Sequence, residues 1–455
     1  MEDHKTVFRR LKEQVEKSAY QKDLHFSDDS ESENLIRTHF LNIKRKETWS
    51  YRTNLKLDCM GDISNPDFIS YKVRNIPFHG LIYTTLIQQL PSITAEHGFE
   101  IRWCPNIGSN IVKECSFKVN DVEWQHLNSE YFDDYHQKVC IDTELDMDLG
   151  NVSSLQDWSS ILPSYTTRFW MPWFYSLHSS KMFPLYFCGK EDNVLHEMHF
   201  RRYIGELLMI RRSDTKEIIP FDEACIRIGG NTVSNFQLPV PEMRGEYIFM
   251  TDMECEHNRC DETKSRLLNG VFDIDNVKAY ESDNTHTMNT TVNLKIKDMP
   301  FPVHTIHWQA VNLDAKKMNY LSNYTTNSDN HLEGGNPIKW ISLSTPNGIL
   351  FKNQDFYIGE KLVSKRNFKK TPKHAGYGVW TNAVNASDPL YPKPGIKLDD
   401  SELTFRLENS EATNACTYRI NTQVVYTYRI TIKDYPKNES ERNTKGIEFE
   451  ISGDF

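Results

Sequence analysis

The sequence predicts an all-β chain of two tandem β-sandwiches, preceded by an arm that belongs to neither. Three observations lead there. From residue 48 onward, short runs alternate apolar and polar residues with period two, the pattern of strands that bury one face. Aromatic residues make up 12% of the chain, and strands are enriched in them. At 455 residues the chain is too long for one ordinary domain, and it divides into two similar stretches of short strands and long loops. The expected divisions are an arm or linker at 1–47, a first unit at 48–260 and a second at 261–455.

In the arm, Val7, Leu11, Val15 and Ala19 recur every four residues, which predicts a short helix with a thin apolar stripe. Ser27 to Glu33 reads SDDSESE, an acidic, solvated linker. Residues 1–50 hold ten Lys plus Arg and ten Asp plus Glu, so this is no polybasic genome-binding arm. It is a mobile extension, or an arm that orders on docking to a neighbour.

Thr53 to Leu57 and Phe78 to Gln88 are strand-like runs bounded by Asn, Pro and Gly. The stretch from Gly98 to Val139 carries the densest set of signals. Phe99 to Trp103 is a short apolar run, and Pro105, Asn106 and Gly108 supply turn chemistry. From Ile111 to Val119, Cys115, Phe117 and Val119 point one way and Glu114, Ser116 and Lys118 the other. Asn120-Asp121 turns the chain again. Asn128 or Ser129 can cap a short helix with a stripe of Tyr131, Tyr135 and Val139. The unit therefore reads strand, turn, strand, turn, helix: one hairpin of an all-β domain. Phe169 to Tyr175, Phe183 to Phe187, Leu207 to Arg211, Cys225 to Ile228 and Tyr247 to Met253 continue the strands, up to a boundary near residue 260.

The second half repeats the grammar. Val292, Leu294 and Ile296 alternate with Asn293, Lys295 and Lys297. Asn323 to Pro337 is a long polar loop, and Phe351 to Tyr357 and Tyr377 to Ala383 are later strands. Leu403, Phe405 and Leu407, then Tyr426, Tyr428, Ile430 and Ile432, then Ile447, Phe449 and Ile451, each alternate with polar neighbours.

Composition narrows the function. A net charge of −10 argues against a protein that coats nucleic acid. Nine scattered cysteines read as reduced thiols of an intracellular compartment. The first residues, MEDHKTVFRRLKEQ, lack the apolar core of a signal peptide, and no run of about 18 apolar residues could span a bilayer. The expectation is a protein made and working on the cytosolic side.

No catalytic, cofactor or metal site is expected. In His196-Glu197-Met198-His199, strand geometry puts His196 and Met198 on one face and Glu197 and His199 on the other, so the histidines cannot chelate together. Cys255 and Cys260, with His257 between, lack a second ligand pair at finger spacing. His304 and His307 flank Ile306 and read as structural. There is no Gly-x-Ser-x-Gly elbow, phosphate loop or Rossmann fingerprint, and Gly229-Gly230 and Gly334-Gly335 are turn glycines. Sequons stand at Asn151, Asn289, Asn323, Asn385 and Asn438.

Several of these stretches, taken in order, resemble the major capsid proteins of the nucleocytoplasmic large DNA viruses (the iridovirus, phycodnavirus and asfarvirus group). The resemblance rests on Arg102-Trp103, Asn106-Ile107-Gly108, Ile111 and Trp124 ahead of the helix around Tyr131. It continues at Pro172-Trp173-Phe174, Phe183-Pro184-Leu185, Thr251-Asp252 after Tyr247, and Pro302-Val303 with Trp308. It covers roughly residues 50–455. The chain departs from the family in its long arm, in lacking the arginine cluster after Asp252, and in lacking the Gly-Met-Gly ending. The resemblance implies two tandem eight-stranded jelly rolls with short helices in the loops. It implies a structural, non-enzymatic protein whose homotrimers form pseudo-hexameric capsomers of an icosahedral shell. The chain would sit in the virion and assemble in the host cytoplasm. Its partners would be itself, minor capsid proteins and an inner viral membrane, with no direct contact to nucleic acid. Asp142 to Tyr165, Ser282 to Asn289 and Asn323 to Pro337 would be tower or inter-subunit loops. Two alternatives remain open: a minor capsid or scaffold protein of the same fold, and a jelly-roll carbohydrate-binding or cupin-like module, for which no cluster of His and carboxylate ligands is evident.

Overall fold

Alternation in the sequence becomes alternation in burial. Along Thr291–Ile296, Val292, Leu294 and Ile296 are buried while Thr291, Asn293 and Lys295 are exposed. Along Ser401–Leu407, Leu403, Phe405 and Leu407 face inward. The structure, a computed structural model, describes residues 51–61, 67–76, 79–139, 147–177, 182–232, 234–250, 271–388, 393–408, 416–436 and 440–453. The arm, Thr251-Asp252, the Cys255–Cys260 pair with His257, and the expected boundary near 260 lie outside the described residues.

The first half begins with β1 (Tyr51–Lys56), β2 (Asp58–Gly61), β3 (Phe68–Lys72), β4 (His79–Leu90), β5 (Ile93–Ala95) and β6 (Phe99–Trp103). It goes on to β7 (Val112–Val119), β8 (Val122–Asn128), β9 (Ile161–Leu162), β10 (Tyr165–Trp170) and β11 (Val194–Phe200). Then come β12 (Leu208–Arg212), β13 (Ile218–Ile219), β14 (Ile226–Ile228), β15 (Asn231–Thr232) and β16 (Glu242–Phe249). The second half holds β17 (Val271–Glu281), β18 (Thr291–Ile296), β19 (Val303–Asn312), β20 (Ile338–Thr345) and β21 (Gly348–Asp355). It closes with β22 (Gly378–Thr381), β23 (Ser401–Leu407), β24 (Tyr418–Asp434) and β25 (Glu448–Ser452).

Two large antiparallel sheets face each other in each half. In the first they run β1-β16-β4-β10 and β2-β3-β11-β7-β8, with the small sheets β13-β12-β6 and β15-β14-β5-β9 beside them. In the second they run β17-β24-β19-β22, with β25 on β24, and β18-β23-β20-β21. Among the described residues no sheet mixes strands of the two halves. Facing sheets of this kind bury their inner side chains against each other.

The two cores differ in filling. Leu81, Leu86, Met243 and Tyr247 from one sheet of the first half meet Ile69, Phe117, Val119 and Met198 from the other. Trp173, Phe174, Tyr175 and Phe183 are packed between them. The Phe117 ring lies 5.1 Å from Phe183, 5.5 Å from Tyr175 and 5.6 Å from Phe174, centroid to centroid. Of the two expected strands, Phe169 to Tyr175 starts as the end of β10 and Phe183 to Phe187 is tied to β4 by a single bridge, Phe183 to Leu81; beyond these, Met171 to Tyr175 and Phe183 to Phe187 supply the aromatic filling outside the named strands. Pro172 and Pro184 offer no amide hydrogen there. The second core is mainly aliphatic, built of Leu294, Ile306, Ile341, Leu343, Leu403, Phe405 and Ile420 around Trp308.

The hairpin in the densest stretch lies one strand later than the sequence suggests. Asn106, at φ 53°, opens a helical turn over Ile107–Asn110 that carries the chain from β6, paired with β12, to β7, paired with β11. The true hairpin is β7–β8, closed by Asn120 and Asp121 at φ 50° and 64°, with Val119 opposite Val122. Two successive left-handed residues match the twist of a two-residue hairpin, and Asn and Asp tolerate that conformation.

Candidate functional site at the junction of the two halves

The helix Ser129–Lys138 stands where the halves meet. Asn128 caps it, its side-chain oxygen accepting from the Tyr131 amide at 2.9 Å; Glu130 lies in the first turn and His136 and Lys138 in the last. The expected stripe of Tyr131, Tyr135 and Val139 is only half-buried. Ser129, Phe132, Asp133, Asp134, His136 and Lys138 are the buried positions. The helix is covered on two sides, which a single apolar stripe does not anticipate. Phe132 and His136 pack on Phe169 of the first half, at 5.0 and 5.5 Å between ring centroids. The acidic pair and Lys138 meet the second half.

Strand β19 meets that helix, and every one of its residues is buried. Ile306, Trp308 and Ala310 enter the second core. His307 and Gln309 point the other way, into the junction. Lys138 pairs with Asp134 one turn away; its Nζ lies 3.1 Å from His307 Nδ1, and Gln309 Nε2 donates to Asp134 at 2.5 Å. Burial pushes the Asp134 carboxyl up, but Lys138 and His307 outweigh it and hold the group below the usual carboxylate range. Burial, with the Lys138 charge, pulls the His307 imidazole down against the opposing pull of Asp134.

A second group forms around Asp133. Asn106 Nδ2 donates to one carboxylate oxygen at 2.8 Å and Tyr324 OH to the other at 2.9 Å. Burial raises the Asp133 carboxyl to about 6, against the pull of these donors. Asn106 is itself clasped by Asn151, through its amide at 2.9 Å and its side-chain oxygen at 2.6 Å. A third group joins Asp275 to His304 Nε2 at 3.3 Å, to Thr427 Oγ1 at 2.7 Å and to Lys393. Between the groups, Asn128 Nδ2 donates to Gln423 at 2.8 Å, Gln125 Nε2 to the Asp275 carbonyl at 2.8 Å, and the His126 amide to Asn276 at 2.8 Å.

The far end of the junction is apolar. Trp124 is fully buried, with Phe174 of its own half at 6.1 Å and Phe272 and Phe449 of the other at 5.8 and 5.0 Å. Tyr428 OH donates to the Trp124 carbonyl. Strand β24 links both environments, with Tyr418, Ile420 and Val424 in the second core and Tyr428, Ile430 and Ile432 continuous with the first.

The junction brings together some of the sequence-predicted residues. Asn106 and Trp124 lie in it. Trp308 backs it from the second core, so closely that a Cβ on Gly378 would sit 1.9 Å from its indole nitrogen. Trp103, Trp173, Phe174 and Val303 are core residues, Pro172 opens the aromatic segment and Pro302 leads into β19. Gly108 lies against the backbone of Leu149, where a Cβ would approach Cα to 3.2 Å. The Arg102 guanidinium is held between the rings of Trp158 and Tyr320, at 4.6 and 5.0 Å, which joins the halves again. Asp133, Asp134, Lys138, Gln309 and Gln423 were not singled out from sequence.

Among the described residues no group of three or more His, Cys, Asp or Glu side chains could hold a metal ion. His196 lies in the first core, bonded to Tyr175 OH at 2.8 Å, while His199 faces outward beside Phe68, as strand parity requires. The cavity beside Asp134, Lys138 and His307 has a volume of about 40 Å³, which suits a water molecule. The loop expected as a tower or inter-subunit loop, Asn323 to Pro337, folds back into the junction over much of its length. Asn323, Tyr324, Thr325, Thr326 and Asn336 are buried, and the exposed residues are Asp329, Leu332 and Glu333. The sequon at Asn323 is thus enclosed, and Asn151 is engaged with Asn106.

No family model and no curated protein matches the chain. Solved structures do. The Faustovirus major capsid protein superposes with a TM-score of 0.62 over 87% of this chain and 93% of that one, at 8% identity. The capsid of the virus PBCV-1 gives 0.59 over 85% and 96%, at 11% identity. A chain of the Sputnik virophage gives 0.54 over 89% of each, at 10% identity. At such identities the likeness is one of fold: the chain is a double jelly roll, the architecture of these viral capsid proteins.

Proposed function

We propose that this double jelly roll is the subunit of a viral shell: a homotrimer whose six sandwiches form a pseudo-hexameric capsomer of an icosahedral capsid. The likeness of fold along nearly the whole length of both chains carries the proposal. The junction supports it, because a six-lobed trimer needs the two sandwiches of each chain at one fixed angle. Capsomer, virion location, assembly in the host cytoplasm, minor capsid partners and an inner membrane all belong to this proposal. So do the division at 1–47, 48–260 and 261–455 and a structural role for the motif residues, Thr251 and Asp252 included.

An exposed apolar group offers a place for subunit contact. Ile349 and Leu350 lie on β21, at the edge of its sheet, and Tyr357, Ile358 and Leu362 follow on the next turns, all exposed. Clustered large apolar side chains of this kind mark association surfaces. Light scattering tests the proposal. A mass of three times 53.3 kDa, about 160 kDa, is expected for the purified protein. A Tyr357→Glu/Leu362→Glu variant is expected to keep its fold by circular dichroism and fall to the single-chain mass. A single-chain mass for the unmodified protein overturns the proposal.

A further inference from the structure

One contact at the polar end of the junction has no room for a further proton. Lys138 Nζ meets the Asp134 carboxylate, the Gly378 carbonyl at 3.4 Å and His307 Nδ1 at 3.1 Å. A single hydrogen lies between the two nitrogens, whichever of them carries it. A second would set two N–H donors and two positive charges face to face in a buried place. From the junction helix, His307 also faces Asp134, at 3.6 Å, and the Tyr131 ring, at 6.2 Å between centroids. From its own strand it shares the 40 Å³ cavity with His304, which a bulge between Val303 and Thr305 turns the same way. Across that cavity lie Asp275 of β17 with Lys393, and Tyr135; Glu360 acts on Lys138 through its charge. His304 is placed differently. Thr381 Oγ1 donates to the His304 carbonyl at 3.0 Å and accepts from Thr305 Oγ1 at 2.8 Å, so His304 Nδ1 donates to Thr305 at 2.8 Å. Its Nε2 is left 3.3 Å from Asp275, where an added proton meets a carboxylate. His304 can be charged in place; His307 cannot.

We propose that the Lys138–His307 contact is an acid-operated latch between the two halves. A proton taken up by His307 parts the last turn of the junction helix from β19, and the angle between the halves is no longer fixed. The helix stays on the first half through Phe132 and His136 against Phe169, and the halves stay joined at Trp124. Linkage sets the direction. Burial and the Lys138 charge hold the closed His307 ring below its ordinary value of 6.5, and opening returns it there. The closed state therefore keeps its advantage above pH 6.5 and loses it as pH falls, by at most about tenfold in the opening equilibrium between pH 7.5 and 5.5. Asp133, raised by burial to about 6, opposes this by up to about fourfold where the same opening exposes it. The latch is independent of whether the chain assembles into a shell.

Amide hydrogen exchange of the full chain tests it, read by mass spectrometry at pH 7.5 and 5.5 and corrected for the intrinsic pH dependence of exchange. The comparison is with His307→Gln, which keeps Asp133 and every other titrating group. On acidification, peptides of Ser129–Lys138 should lose severalfold more protection in the unmodified chain than in the variant, at most about tenfold more. Peptides of Thr291–Ile296, in the outer sheet of the second half, should lose equally in both chains. Equal loss at the junction helix in the two chains overturns the latch. So does an excess loss that extends to Thr291–Ile296, which would be a change in global stability. Exchange of the carbon-bound ring hydrogen of His307 gives a readout in the unmodified chain should the variant not fold. Half-titration below pH 6.5 is expected, and half-titration at 6.5 or above overturns the latch.

Discussion

The two ends of the junction do different work. At one end Trp124, Phe174, Phe272 and Phe449 bury aromatic surface across the halves. At the other, Asp133, Asp134, Lys138, His307 and Gln309 bury charge and amide groups in hydrogen-bonded clusters around the two carboxylates. Apolar burial is favourable in almost any arrangement, at about 25 cal/mol per Å². A buried ion pair gives little net stability, but it costs heavily when misaligned, so it penalises every other orientation. The apolar end therefore holds the halves together, and the polar end fixes the angle at which they are held. That division of labour is our hypothesis for why charge is buried here.

Removing one element from each end separates the roles. Trp124→Ala should have the largest effect, about 3–5 kcal/mol in urea unfolding, because the ring packs on residues of both halves and no second substitution restores it. Lys138→Met should cost about 3–5 kcal/mol by stranding Asp134, but Asp134→Leu in the same chain should recover most of the loss. If the double variant stays as unstable as the single one, the pair contributes stability and the assigned role is wrong.

Acid should distinguish the polar end from the first core. His196 is pulled by burial to about 3, below its unfolded value near 6.5. The unfolded chain then takes up its proton first, and stability is lost as pH falls below about 6.5, by about 2 kcal/mol at pH 5. Asp133, raised by burial to about 6, acts in the opposite sense and regains about 1 kcal/mol between pH 7 and 5. Asp133→Asn removes that gain, so urea unfolding at pH 7 and 5 should show a steeper acid loss in the variant. An unchanged slope would mean that Asp133 is not held at about 6. The smallest effect belongs to Asn128→Ala, about 1 kcal/mol, from loss of the helix cap and the bond to Gln423.

What was legible in the sequence follows from the same contrast. Period-two runs gave most of the strands, because a strand with one wet face writes its position in every second residue. Val292 to Ile296, with asparagine and lysine outward, is such a case. Val303 to Asn312 carries the same alternation, yet both faces are buried. Polarity alone does not tell solvent from a polar junction. The signal available was residue type: β18 turns Thr291, Asn293 and Lys295 outward, whereas β19 turns histidine and glutamine, groups easily satisfied by fixed partners. Asp133, Asp134 and Lys138 were missed for a related reason, since a charged helix face normally reads as solvated. Trp103, Trp124 and Trp308 were found because large aromatic residues belong in the core wherever the chain places them.

Single-particle images of the purified protein test the central claim most directly, because they report association and the angle between the halves together. The account predicts a three-fold particle with six sharply resolved lobes, two from each chain. Particles of one chain, or three-fold particles in which one lobe of each pair is smeared out, would contradict it.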